Sequence, residues 1–387
     1  MAGALAAACG GSSSTANRVA TSGSNVLPIA VNAGPAGNAV NIPYTSVTIC
    51  APGSTSNCQT IDGIEVDTGS SGLRVLSSVL TLTLPRVTDA GGNPLAECNQ
   101  FQDGFTWGPV RTADVSMAGE RASSIPIQLI GDPTFAPVPD ACTNIGIPEE
   151  DTVQALGANG ILGVGPFRQD CGIACVLNGA SNPGFYYSCS ASGCVQTTAT
   201  LAQQVPNPVW LFPQDNNGVI VELPSAPPTG SPGLSGSLVF GIGTQSNNGL
   251  GSATVLRMNL NGTISATYGG QTYNSAFIDS GSNGIYFLDA ATTGIPLCPD
   301  SSDFYCPAAQ QNLSATNRGS NGTTAPVSFT VLSADTLFAT PFTVLGGLAG
   351  PNPGSIDWGL PFFYGRNVFT AIESQSTPSG LGPYYAY

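Results

Sequence analysis

Two seven-residue strings, "VDTGSSG" at 66–72 and "IDSGSNG" at 278–284, share one pattern: a β-branched apolar residue, Asp, a small hydroxyl residue, Gly, Ser, one polar residue and Gly. Their aspartates, Asp67 and Asp279, are 212 residues apart. A single such string says little, because Asp and Gly are ordinary turn formers and every strand has to end. Two copies, one in each half of a 387-residue chain, point to a duplicated unit that contributes one acid per copy. The competing interpretation, two acidic turn residues in a β protein, leaves the repetition without a cause.

The rest of the chain fits a duplicated β unit. Gly 49 and Pro 31 make up about a fifth of it, and no segment keeps an amphipathic helical period over many turns. Short alternating runs such as "NIPYTSVTIC", "SVLTLTLP", "SLVFGIGT" and "PVSFTVL" lie between Gly, Pro and Asn, and read as strands. "PEEDTVQALGANG" and "TTATLAQQV" are expected to form two short helices, and 171–194 a disulfide-pinned surface insertion. The predicted fold class is therefore all-β with few short helices. Its expected divisions are a signal remnant and flexible tether at 1–25, a first β lobe at 26–207 and a second at 208–387.

Charge and composition exclude several functions. The chain has nine arginines, no lysine and no histidine, with a formal charge of −14 and a pI of about 4. No basic face can be assembled to displace counterions from phosphate, so nucleic acid is not an expected partner. Without histidine there is no Ser-His-Asp triad, Cys-His dyad or His-ligated zinc. Carboxylates remain as acid and base. No cofactor or metal is called for, since Asp62, Glu65 and Asp67 lack the spacing of a known Ca²⁺ loop.

Eleven cysteines leave an even ten once Cys9 is set aside. The economical pairing joins Cys50 to Cys58, Cys171 to Cys175, Cys189 to Cys194 and Cys298 to Cys306, which leaves Cys98 for Cys142. Five disulfides imply an oxidising compartment. At the start, "LAAAC" resembles a bacterial lipobox, which implies lipidation at Cys9, with "GGSSSTA" as a tether. The expected location is periplasmic or cell-surface, with a lipid anchor as the sole membrane attachment.

The repeated strings carry a definite chemistry. Two carboxylates in hydrogen-bond range cannot both ionise cheaply, so they share a proton and hold one base and one acid together. One takes a proton from water while the other donates to the carbonyl oxygen under attack. Gly69 and Gly281 would let the two loops approach, Thr68 and Ser280 would bond across to the facing backbone, and Ser70 and Ser282 would donate to the outer carboxylate oxygens.

These strings resemble the two active-site strings of the pepsin-like aspartic proteases. "NGILGVG" at 159–165 resembles the apolar-apolar-Gly strand behind the first of them, and "WGLPFFYGRNVFTAIE" the closing strands. The tail and "VPNPV" also resemble a bacterial family of secreted proteins. The resemblance implies a bilobal fold with Asp67 and Asp279 as the catalytic pair and a peptide or protein substrate in a monomer. It also implies a flap at "GFTWGPVRTADVSMAG", with Trp107 and Gly108 contacting substrate. The chain departs from the pattern at Arg74, where the family has Trp, and at Asp357 and Trp358, where it has an apolar pair. The other function considered is a catalytically silent cell-envelope binding or inhibitor-like protein on the same scaffold.

Overall fold

The computed structural model describes residues 19–143 and 146–387. Strands dominate, and the four α-helices among the described residues have four or five residues each. One expected helix is present as a single turn, Val153–Leu156, capped by the Thr152 hydroxyl and closed by Gly157 in the left-handed region. The other is absent: "TTATLAQQV" forms a turn in which the Thr200 amide and hydroxyl both donate to the Gln203 side chain. β-Branched Thr and the proline at 206 oppose a helix there, and the local side-chain bonds offer the backbone an alternative.

A fifteen-stranded sheet runs through both halves of the chain. Val26–Val31 is its joint, pairing with Pro43–Cys50 on one side and with Leu234–Phe240 on the other. A seven-stranded sheet, built from segments between Ile264–Tyr268 and Asn352–Trp358, completes the second half. The largest apolar cluster draws on both halves, from Leu27 to Tyr385.

The same strand crossing occurs twice. Cys58–Asp67 runs parallel to Gly160–Val164, which pairs antiparallel with Ser71–Leu76, so the chain loops around that middle strand. In the second half Gln271–Ile278 runs parallel to Asn352–Trp358, which pairs antiparallel with Ile285–Leu288. Each crossing needs a glycine. A Cβ at Gly163 would lie 2.7 Å from the Ser71 backbone, and one at Gly359 2.0 Å from the Gly284 carbonyl oxygen.

All five expected disulfides form: Cys50–Cys58, Cys98–Cys142, Cys171–Cys175, Cys189–Cys194 and Cys298–Cys306. They indicate a protein outside the cytoplasm, extracellular or periplasmic. The expected insertion at 171–194 is partly integral to the fold. Tyr186–Ser190 adds a strand beside Leu95–Gln100, and Tyr186 and Tyr187 are buried. Cys9 lies outside the described residues. No helix among them is long and apolar enough to cross a membrane.

Candidate active site

The strands Cys58–Asp67 and Gln271–Ile278 end in buried Val66 and Ile278, and the two polar strings that follow face each other. Thr68 and Ser280, both fully buried, tie them together. The Thr68 amide donates to Ser280 Oγ at 3.1 Å, and the Ser280 amide donates to Thr68 Oγ1 at 2.9 Å. Each hydroxyl then donates to the carbonyl just before the facing aspartate, Ser280 Oγ to Val66 at 2.7 Å and Thr68 Oγ1 to Ile278 at a longer 3.4 Å. No polar atom of this bridge is left without a partner, as burial demands.

The bridge brings the carboxyls together. Asp67 Oδ1 accepts from the amides of Gly69 at 2.6 Å and Ser70 at 3.2 Å. Asp279 Oδ1 accepts from the Gly281 amide at 2.8 Å, and its Oδ2 from the Ser282 hydroxyl at 2.9 Å. A Cβ at Gly69 would lie 2.6 Å from Asp279 Cγ, and one at Gly281 3.0 Å from Asp67 Cγ. Only glycine lets each acid rest against the opposite loop. Two carboxyls this close cannot both ionise cheaply. Burial first, then the charges of Asp67 and Asp357, raise Asp279 well above the usual carboxylate range.

The two halves differ at the serines. Ser282 donates to its aspartate through the hydroxyl, whereas Ser70 contributes only its backbone amide; its Oγ is buried without a partner. The expectation that both hydroxyls orient the carboxylates therefore holds for Ser282 alone.

The hairpin departs further from the expectation. The turn joining Leu95–Gln100 to Phe105–Met117 is 101–104, and Trp107 lies inside the second strand. Its side chain is 2 % exposed, donates from Nε1 to the Phe135 carbonyl, and meets Tyr187 edge-on beside Cys98 and Cys142. Gly108 pairs with Glu97, and a Cβ there would lie 1.8 Å from the Leu129 carbonyl oxygen. Both are packing residues with no face toward a ligand. At the turn itself, Asp103 is exposed; burial first, and then nearby acids that include Asp103, raise Glu65, Glu150 and Tyr286.

Two departures from the family pattern, Asp357 and Arg74, both lie buried among acids. Asp357, on Asn352–Trp358, is 5 % exposed, and its Oδ1 is buried without a hydrogen-bond partner. Burial, with the Ser282 hydroxyl opposing and the Asp67 charge adding, pushes it up to about 8. Its signal was visible as an acid where an apolar residue is the rule. Arg74, fully buried, pairs with Glu97 at 2.6 Å and Asp170 at 3.4 Å, and also donates to Asn99. The Tyr186 hydroxyl donates to Asp170 at 2.7 Å. The group Cys298, Cys306 and Asp335 is also close-set, but its two sulfurs are joined in a disulfide.

Twin strand crossings that carry two facing acids define the pepsin-like aspartic proteinase fold. The chain is similar to the aspartic proteinase from Irpex lacteus, with a TM-score of 0.51 and 14% sequence identity over 93% of this chain and 96% of that one. The chain belongs to the family described as protein of unknown function (DUF3443), whose model matches residues 21–387. No curated protein matches the sequence.

Proposed function

We propose that the protein is an aspartic endopeptidase in which Asp67 and Asp279 activate a water against a peptide carbonyl. The observation that carries this reading is the packing of each carboxyl against the opposite loop's glycine, with the two loops tied by the Thr68–Ser280 bridge. Asp279, raised by burial and by its neighbours, is the acid, and Asp67 the base. Asp67 takes a proton from water as the oxygen attacks, and Asp279 donates its proton to the carbonyl oxygen. Collapse of the tetrahedral intermediate then passes a proton to the departing amine. The substrate is an extended peptide lying between the loops and the turn at 101–104, which closes over it. The working form is an exported monomer, anchored through lipid at Cys9.

A silent binding protein on the same scaffold is the second reading, favoured by the missing Ser70 hydroxyl bond. Cleavage of an unfolded protein substrate between about pH 3 and 7 separates the two. Pepstatin-sensitive cleavage that disappears in Asp67→Asn and Asp279→Asn supports the enzyme. Absence of cleavage by the processed, disulfide-intact protein across that range rejects it.

A further inference from the structure

Past each aspartate the two loops are supported at the same two carbonyls. In the first loop the Gly165 amide donates to the Ser70 carbonyl at 2.8 Å, and Arg74 Nη1 donates to the Ser71 carbonyl at 2.9 Å. In the second the Leu360 amide donates to the Ser282 carbonyl at 2.7 Å, and Asn41 Nδ2 donates to the Asn283 carbonyl at 2.7 Å. The outer carbonyl of each loop thus rests on a fully buried side chain. Arg74 lies three residues from the carbonyl it holds, whereas Asn41 lies 242 residues away, in the other half of the chain.

Asn41 fits that place atom for atom. A side-chain amide has two donors and two acceptor lone pairs, and here all four are used. Nδ2 also donates to the Leu345 carbonyl at 2.9 Å, while Oδ1 accepts from the Leu345 amide at 2.7 Å and from the Tyr364 hydroxyl at 2.6 Å. These partners leave the amide only one orientation. The Asn41 backbone amide donates to the Thr343 carbonyl at 2.8 Å, so every one of these bonds runs into the second half. The backbone holds a φ of 54°, in the left-handed region that Asn enters more readily than other residues with a side chain. Such a conformation persists where its surroundings over-determine it.

What Asn41 holds is the backbone beneath Ser282. The Ser282 hydroxyl donates to Asp279 Oδ2 at 2.9 Å and the Gly281 amide to Oδ1 at 2.8 Å, so the path of 281–283 decides where that carboxyl points. On its other side Asn41 stands two residues before Pro43–Cys50, whose Tyr44 pairs with Glu65 on the strand that ends in Asp67. One side chain therefore links the strand pair behind the first acid to the loop of the second.

We propose that Asn41 is a positioning residue for Asp279: by holding the Asn283 carbonyl from the opposite half, it fixes the backbone from which Gly281 and Ser282 aim the carboxyl. This rests on the reading of Asp67 and Asp279 as the working pair.

Asn41→Gly in the full, disulfide-bonded chain tests this, because glycine keeps the left-handed backbone and removes only the side-chain amide. Hydrogen exchange well below the unfolding temperature should quicken at least about 10-fold at the Gly281 and Leu360 amides and stay unchanged at Gly69 and Gly165, their counterparts in the first loop. In peptide cleavage kcat should fall about 10- to 100-fold with KM within about two-fold, since a displaced carboxyl leaves substrate bound but is wrongly aimed at it. Tyr364→Phe keeps the ring and removes one bond to Asn41; it should move both readings the same way by less, and it decides the matter if the glycine variant does not fold. A merely structural role would speed exchange in both loops alike and leave kcat per folded molecule as it was. Either of those results, or faster exchange at Gly281 with kcat unchanged, overturns the proposal. Faster exchange confined to the second loop, in a protein whose wild type cleaves nothing, leaves the support of that loop standing and overturns the catalytic reading alone.

Discussion

Asp67 and Asp279 form one buried acid pair; Glu97 and Asp170, gathered around Arg74, form another. In both, burial and a carboxyl neighbour raise one member well above its usual range, so each pair keeps a proton that free carboxyls would give up. The pairs differ in charge and access. Arg74 sits directly on the second pair, whose side chains are 0 to 2 % exposed. Among the described residues no ion pair reaches the first, and its loop surfaces at Gly69. Proton sharing therefore does not by itself make a reagent. A sealed pair neutralised by a guanidinium fastens strands, whereas an open pair without a counter-ion can pass its proton to a substrate.

The largest effect that could break this contrast is catalytic. Asp67→Asn or Asp279→Asn should lower kcat/KM by at least about 10³-fold with the fold intact, while Glu97→Gln leaves the rate within a few-fold. Equal losses in a steady-state peptide assay would erase the distinction. Arg74→Met reverses the emphasis: stranding two buried carboxyls should cost about 3–5 kcal/mol in urea unfolding. A loss below about 1 kcal/mol would mean that the guanidinium is not what holds the second pair.

Acidity sharpens the comparison further. The folded protein keeps a proton on Asp357 that the unfolded chain releases, between the ordinary value of 3.8 and about 8. The native state binds more protons in that window, so stability must fall as pH rises through it, by at most about 1.4 kcal/mol per unit from this group. Asp357→Asn should flatten the decline of Tm across that window in calorimetry.

Next in size is the staple under the hairpin that carries Glu97. Cys98–Cys142 closes a 44-residue span and Cys171–Cys175 a span of 4. Loop entropy gives about 4 kcal/mol for the first and about 2 for the second, so the paired serine variants should differ by about 2 kcal/mol in denaturation. The smallest effect separates the serines. Ser282→Ala should cost about 1 kcal/mol and slow cleavage, whereas Ser70→Ala removes a hydroxyl that bonds nothing and should leave stability nearly unchanged.

The repeated strings made the bridge residues legible because the chemistry is local: Asp, hydroxyl, Gly and Ser in a row each have one place to go. The disulfides were equally readable, since four of the five join cysteines at most eight residues apart. The hairpin tip lies at "FQDG", a stronger turn signal than the tryptophan, and Trp107 belongs to a 13-residue strand whose packing buries it. Arg74 stands out in the sequence, but its partners do not. Glu97 and Asp170 lie 23 and 96 residues along the chain, and no period or motif connects them. For Asp357 the residue was conspicuous, and only the fold reveals that it adjoins Ser282.

The cross-tie between Thr68 and Ser280 has a consequence for biosynthesis. A polypeptide stalled before Asp279 holds Asp67 without its partner, and the tie itself needs Ser280. The acid pair is therefore a late product of folding, and any chemistry it supports begins only after two remote stretches have met.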